Sequence, residues 1–225
     1  MTQTRMRLYL TCALICGTAL GVPNQEPTSR RVNNTPAALM MLEPCEVPGT
    51  ESNVTEKVLC GTYEVFEDRV ARQGRKIKLK IVVFPAVGTD KAADPLFYIP
   101  GGPGSSATED APYVAEDMAT IRKRRDLVFV DQRGTGGSNP LNCVLFDPAD
   151  IKSYLGFYFP LADIRKCREQ LEPKADLKLY TTHIAMGDLD EVRAALGYKM
   201  INIIGGSYGT RATLAYLKRY EKNVR

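Results

Sequence analysis

The sequence predicts an α/β fold in which antiparallel strands lead into the N-terminal part of a mostly parallel sheet, and three observations carry this. Residues 76–84 alternate Ile77, Leu79 and Ile81 with Lys76, Lys78 and Lys80, the pattern of a strand with one buried and one solvated face. Residues 96–99, 127–130 and 201–204 are short apolar runs, as expected of parallel strands buried on both faces. The last run leads into Gly205-Gly206-Ser207-Tyr208-Gly209 and then into 210–220, which can continue as a helix, so strand and helix alternate.

Taken in order, the chain of 225 residues opens with Arg5 and Arg7, an uncharged run over 8–20, and Ala19 and Gly21 placed for cleavage before Val22. The run is shorter than the roughly 20 residues that span a bilayer, so 1–21 reads as an export signal and not as a stable membrane span. Cys12 and Cys16 lack the preceding small residues of a lipid-attachment site. Loss of Arg5 and Arg7 lowers the formal net charge from +4 to +2, a balance that gives no reason to expect nucleic acid as a partner. Residues 22–44 are rich in Pro, Asn and Thr and read as a mobile leader to a domain over 45–225.

Four cysteines remain in the exported part, Cys45, Cys60, Cys143 and Cys167. Of their three connectivities, 45 with 60 and 143 with 167 needs the least chain rearrangement, and it suits an oxidising compartment. With a single histidine and no Cys-x-x-Cys, neither a metal nor a cofactor site is expected.

Residues 62–67 and 76–84 are expected to pair as antiparallel strands through the connection 68–75. A helix is expected over 188–196: Leu189, Val192 and Leu196 share a face, Asp188 with Glu191 forms a capping box, and Gly197 stops it. Residues 142–180 fit the alternation less well. They carry Tyr154, Phe157, Tyr158 and Phe159 and read as an inserted excursion stapled by Cys143 and Cys167, its aromatics packing a small subdomain, with the lining of a substrate entrance as the alternative.

Chemistry concentrates at three motifs. The first, around Ser207, has the strand-to-helix context of a nucleophile elbow: the sharp turn lifts the hydroxyl clear of the sheet, and a side chain at Gly205 or Gly209 would clash as strand and helix close on each other. In the second, the strand 96–99 runs into Pro100-Gly101-Gly102-Pro103-Gly104, a loop whose backbone amides can approach a developing oxyanion. Gly102 and Tyr208 are the expected amide donors. The third, Asp131 to Ser138, follows the strand 127–130; Asp131 and Arg133 read as a buried, paired support for a sharp loop rather than as catalytic groups.

These motifs, PGGPG, DQRGTGGS and GGSYG in that order, resemble the α/β-hydrolase superfamily, in particular the branch of prolyl aminopeptidases and secreted tripeptidyl-aminopeptidase-like enzymes. The resemblance covers about residues 45–220. It implies that Ser207 is the nucleophile, that the amides of Gly102 and Tyr208 hold the oxyanion, and that the substrate is a peptide or small acyl compound. Prolyl aminopeptidases carry His before GGPG, whereas Pro100 stands here, which points to the tripeptidyl-like group. In the family the triad acid and histidine follow the serine; 18 residues follow Ser207 and none is histidine. His183, 24 residues before Ser207, matches no triad position and reads as a partly exposed loop residue. The expectation is therefore the N-terminal half of a secreted serine hydrolase, without the C-terminal strands and lid domain, inactive alone, and with 201–204 left as an unpaired sheet edge. An esterase with the same elbow, or a binding protein keeping the hydrolase's front half, are the alternatives.

Overall fold

The computed structural model describes residues 40–51, 54–143, 149, 151, 155 and 160–225. The expected signal segment, most of the leader and the aromatic cluster of residues 154 and 157–159 lie outside the described residues.

Six strands form one sheet: β1 (Glu43–Pro48), β2 (Thr55–Phe66), β3 (Lys76–Phe84), β4 (Leu96–Ile99), β5 (Leu127–Val130) and β6 (Asn202–Gly205), in the order β1-β2-β3-β5-β4-β6. β1, β2, β3 and β5 pair antiparallel in succession, and β4 runs parallel to both β5 and β6. The antiparallel lead-in is thus longer than expected. β2 starts at Thr55, and β1 takes in the end of the supposed leader. The end of that supposed leader belongs to the domain: the Met40 amide donates to Ala195 O at 2.8 Å, and Met40 and Leu42 pack on the core.

Helices cover both faces. α1 (Ala107–Asp117) lays Ala107, Ala111 and Ala115 on Val82, Phe84 and Phe129, all of them buried. It persists through Pro112, whose missing N–H would ordinarily disfavour a helix interior, because this small-residue face sits against the sheet. A short turn, α2 (Ala119–Arg122), follows, and α3 (Leu161–Leu171) carries Cys167 of the Cys143–Cys167 disulfide. On the opposite face α4 (Thr182–Ala195) supplies Met186, Leu189 and Val192, and α5 (Tyr208–Tyr220) supplies Ala212 and Tyr216, against Ile77, Leu79, Ile81 and Val128.

The burial of β3 records where this second layer begins. Lys76, Lys78 and Lys80 are exposed, but from Ile81 to Phe84 every residue is buried, because α1 covers the face that the lysines leave open. Among the described residues no helix is long and apolar enough to cross a membrane. Both disulfides are those the spacing favoured, Cys45–Cys60 and Cys143–Cys167.

Two further expectations change. α4 begins at Thr182, with Gly197 at φ +82° ending it as expected, so Asp188 and Glu191 lie inside the helix and form no capping box. Asp188 is buried there and used by two arginines, described below. The outer edge of β6 is also not wholly open: after α5 the chain returns and pairs in parallel with Ile201, the Ile201 amide donating to Asn223 O and the Arg225 amide to Ile201 O.

Candidate active site

β6 ends at Gly205 and α5 starts at Tyr208, so the chain reverses across Gly206 and Ser207. Ser207 takes φ 51° and ψ −118°, a region that a residue with a side chain enters only when its surroundings hold it there. Those surroundings are glycines. A Cβ on Gly209 would collide with Ile99 O and lie 3.0 Å from Pro100 O, and one on Gly205 would collide with Gly209 O and lie 2.7 Å from Thr213 Oγ1. The turn is closed by the Gly209 amide donating to Gly206 O at 2.7 Å and by Thr210 Oγ1 donating to Ser207 O at 2.7 Å. Ser207 itself is exposed.

The loop after β4 lies against it. A Cβ on Gly101 would stand 3.4 Å from Ser207 Cβ and 3.9 Å from its Oγ, so this loop meets the serine with bare backbone. Gly102 has φ +102° and packs on the Gly104 amide, where a Cβ would come within 2.7 Å. Tyr208 is braced from behind: its hydroxyl lies 3.1 Å from Thr182 Oγ1 and donates to Gln132 Oε1 at 3.4 Å.

Asp131 and Arg133 are both buried, yet they do not pair with each other. Asp131 Oδ1 accepts from Ser106 Oγ at 2.8 Å and the Thr108 amide at 2.9 Å, and its Oδ2 from Thr108 Oγ1 at 2.9 Å and the Gly137 amide at 2.8 Å. It ties the start of α1 to the loop after β5. Arg133 instead grips Asp188 through Nε at 2.6 Å and Nη2 at 2.9 Å, and donates Nη1 to the Glu67 and Leu179 carbonyls. Arg69 reaches the same Asp188 at 2.6 Å. Near it, burial and a 2.9 Å hydrogen bond to Glu67 push the Tyr180 phenol up to about 12. Both oxygens of Asp131 and both of Asp188 accept hydrogen bonds within these networks, so the two carboxylates support the loops. Among the described residues no cluster of three His, Cys, Asp or Glu could hold a metal ion.

Beside the turn lies a cavity of about 600 Å³, walled by residues 101 and 103–105, the loop 132–135, the first turn of α4 and one side of α5. His183 is on this wall, exposed in the first turn of α4 rather than in a loop, and no described hydrogen bond joins it to Ser207 or to a carboxylate.

Residues 94–225 match the family described as the alpha/beta hydrolase fold. The chain belongs to the α/β-hydrolase fold family. It is 32% identical over 189 residues to the tripeptidyl aminopeptidase of Streptomyces lividans, covering 77% of this chain and 35% of that protein. To serine protease Hip1 of Mycobacterium tuberculosis it is 29% identical over 199 residues, 81% of this chain and 37% of that protein. The chain thus spans about a third of the length of these relatives. A proline iminopeptidase structure from Mycobacterium smegmatis is 18% identical with a TM-score of 0.45, covering 73% of this chain and 41% of that one.

In this α/β-hydrolase chain, sequence reasoning placed the turn but missed what braces it. The partners of Tyr208, namely Gln132 and Thr182, are 76 and 26 residues away, and no local pattern links them. Arg211, on the cavity wall, also went unremarked. Its signal was available: a cation three residues after Tyr208 on the helix shares Tyr208's face.

Proposed function

We propose that this chain carries the nucleophile half of an exported serine hydrolase that acts on peptides, releasing N-terminal residues or tripeptides. The observation that carries the reading is the geometry of Ser207, held at positive φ on an exposed strand-to-helix turn with the backbone of Gly101 against it. Ser207 Oγ attacks the scissile carbonyl carbon, and the amides of Gly102 and Tyr208 receive the developing oxyanion, the second from the start of α5 where the helix dipole favours negative charge. The serine proton passes to a histidine base and on to the leaving amine, and water then releases the acyl group. Peptide chemistry is favoured by the names of the relatives, tripeptidyl aminopeptidase and serine protease. Export is supported by the two disulfides.

In this reading the described residues hold nucleophile and oxyanion donors, and among them no base or acid is assigned, since no described hydrogen bond joins His183 to Ser207 or to a carboxylate. Residues 22–225 produced alone are expected to turn over neither tripeptidyl anilides nor short acyl esters. The native protein, recovered from the organism that encodes it, is the material for the decisive test. It is expected to begin at Val22, to react with a fluorophosphonate on the tryptic peptide containing Ser207, and to cleave the anilide faster than the ester. Ser207→Ala should abolish labelling. Native protein that stays unlabelled, or labels elsewhere, would end this reading, and faster ester cleavage would reassign the substrate class.

A further inference from the structure

The cavity beside Ser207 has an electrostatic sign. Tyr208, Arg211 and Ala215, spaced three and four residues apart, form one face of α5, and this face is a wall of the cavity. No described residue lining the cavity is Asp or Glu. Of the two arginines there, Arg133 is buried and neutralised by Asp188. Arg211 is different: it is exposed, and among the described residues no carboxylate lies within ion-pair distance of it. Its charge sits one helical turn from Ser207. The helices that begin at the cavity, α4 and α5, make no side-chain cap bond at Thr181 or Ser207, so their positive ends add to the same sign.

We propose that Arg211 is a specificity-determining residue which receives a carboxylate of the peptide substrate, an acidic side chain near the scissile bond, in this cavity. The proposal rests on the peptidase reading for the identity of the ligand, while its geometry is independent of any chemistry at Ser207. A guanidinium offers a planar fork of donors that matches a carboxylate with two parallel hydrogen bonds, and a pocket wall lowers the water competition that weakens such pairs on open surface. A free ammonium would meet no compensating carboxylate among the described walls.

The test uses the native protein with Ser207→Ala, which cannot turn over, titrated with two tripeptide amides that are identical except for Glu or Gln at one position, each position in turn. At one position the Glu peptide should bind roughly tenfold more tightly at low salt, the size of one charge-assisted pair, and the advantage should shrink as salt is raised. Arg211→Gln should remove the preference. Arg219→Gln, the same charge loss on exposed α5 away from the cavity, should keep it. Equal affinities at every position, no binding of either peptide, survival of the preference in Arg211→Gln, or its loss in Arg219→Gln would each overturn the proposal. Because binding is read without turnover, an unreactive Ser207 would sink the hydrolase reading and leave this result separately legible.

Discussion

Gly209 faces Ile99 O and Pro100 O so closely that no Cβ fits, whereas a Cβ on Gly206, three residues earlier, would meet nothing within 4 Å. The two glycines should therefore respond in opposite ways to the same substitution. Gly209→Ala forces apart the end of β4 and the start of α5 and should lower stability by about 2 kcal/mol, as overpacking does. Gly206→Ala should stay within about 0.5 kcal/mol of wild type. Urea midpoints measure both, and an unchanged midpoint for Gly209→Ala would contradict the close packing on which the turn depends. The same contact bears on chemistry, since the carbonyls that Gly209 touches begin the loop that lies against Ser207.

At the level of elements, α4 and α5 are joined by one carboxylate. Asp190 accepts from Arg193 Nε at 2.7 Å, Tyr216 OH at 2.7 Å and Asn223 Nδ2 at 2.8 Å, linking α4 to α5 and to the 3-10 turn that precedes the bridge to Ile201. Burial alone would raise its pKa, but the bonds from Arg193 and Tyr216, the Arg193 charge and the Asn223 bond outweigh it and hold the group below the usual carboxylate range. A folded-state pKa below the unfolded one contributes stability that is complete above the unfolded value, about 3.9 for Asp, and is lost as pH falls through it toward the folded value. Thermal melts should therefore show stability falling as pH drops below about 4, and Asp190→Asn should be less stable at neutral pH with a flatter acid limb. An acid limb as steep in the variant as in wild type would assign the loss to other groups. Tyr216 serves the same junction as a donor, because burial and Asp190 raise its phenol and keep its proton in place.

Across the whole molecule, the Arg133–Asp188 pair joins regions far apart in sequence. Asp188 in α4 binds Arg133 from the loop after β5 and Arg69 from the β2–β3 connection, while Arg133 also holds the carbonyls of Glu67 and Leu179. The Arg133 side chain is fully buried and that of Asp188 nearly so. Removing one partner leaves a buried charge, so Asp188→Leu is expected to destabilise by about 3–5 kcal/mol. Arg133→Met with Asp188→Leu should cost well below the sum of the two single changes, because neither charge is then stranded. A double-mutant cycle by chemical denaturation reads this coupling, and additive losses would mean that the two side chains act separately.

The features legible in the chain were those set by short-range constraint. Alternation fixes a strand with one wet face, unbroken apolar runs mark strands covered on both sides, and the glycines of 205–209 announce a turn that tolerates no side chain; even the disulfide partners lie 15 and 24 residues apart. Local pattern failed where a residue's role depends on a distant partner. Asp188 and Glu191 have the spacing of a capping box, but Asp188 is claimed by arginines 119 and 55 residues away and the helix starts a turn and a half earlier. Asp131 and Arg133, two residues apart, would share a face if β5 continued, but the chain leaves the strand after Val130 and the two side chains bind different elements. The sequence by itself determined the fold class and the serine turn, since both follow from steric and hydrophobic rules acting over a few residues. Tertiary packing alone decided that His183 and Arg211 share a wall near Ser207, because only the docking of α4 beside α5 brings the two together.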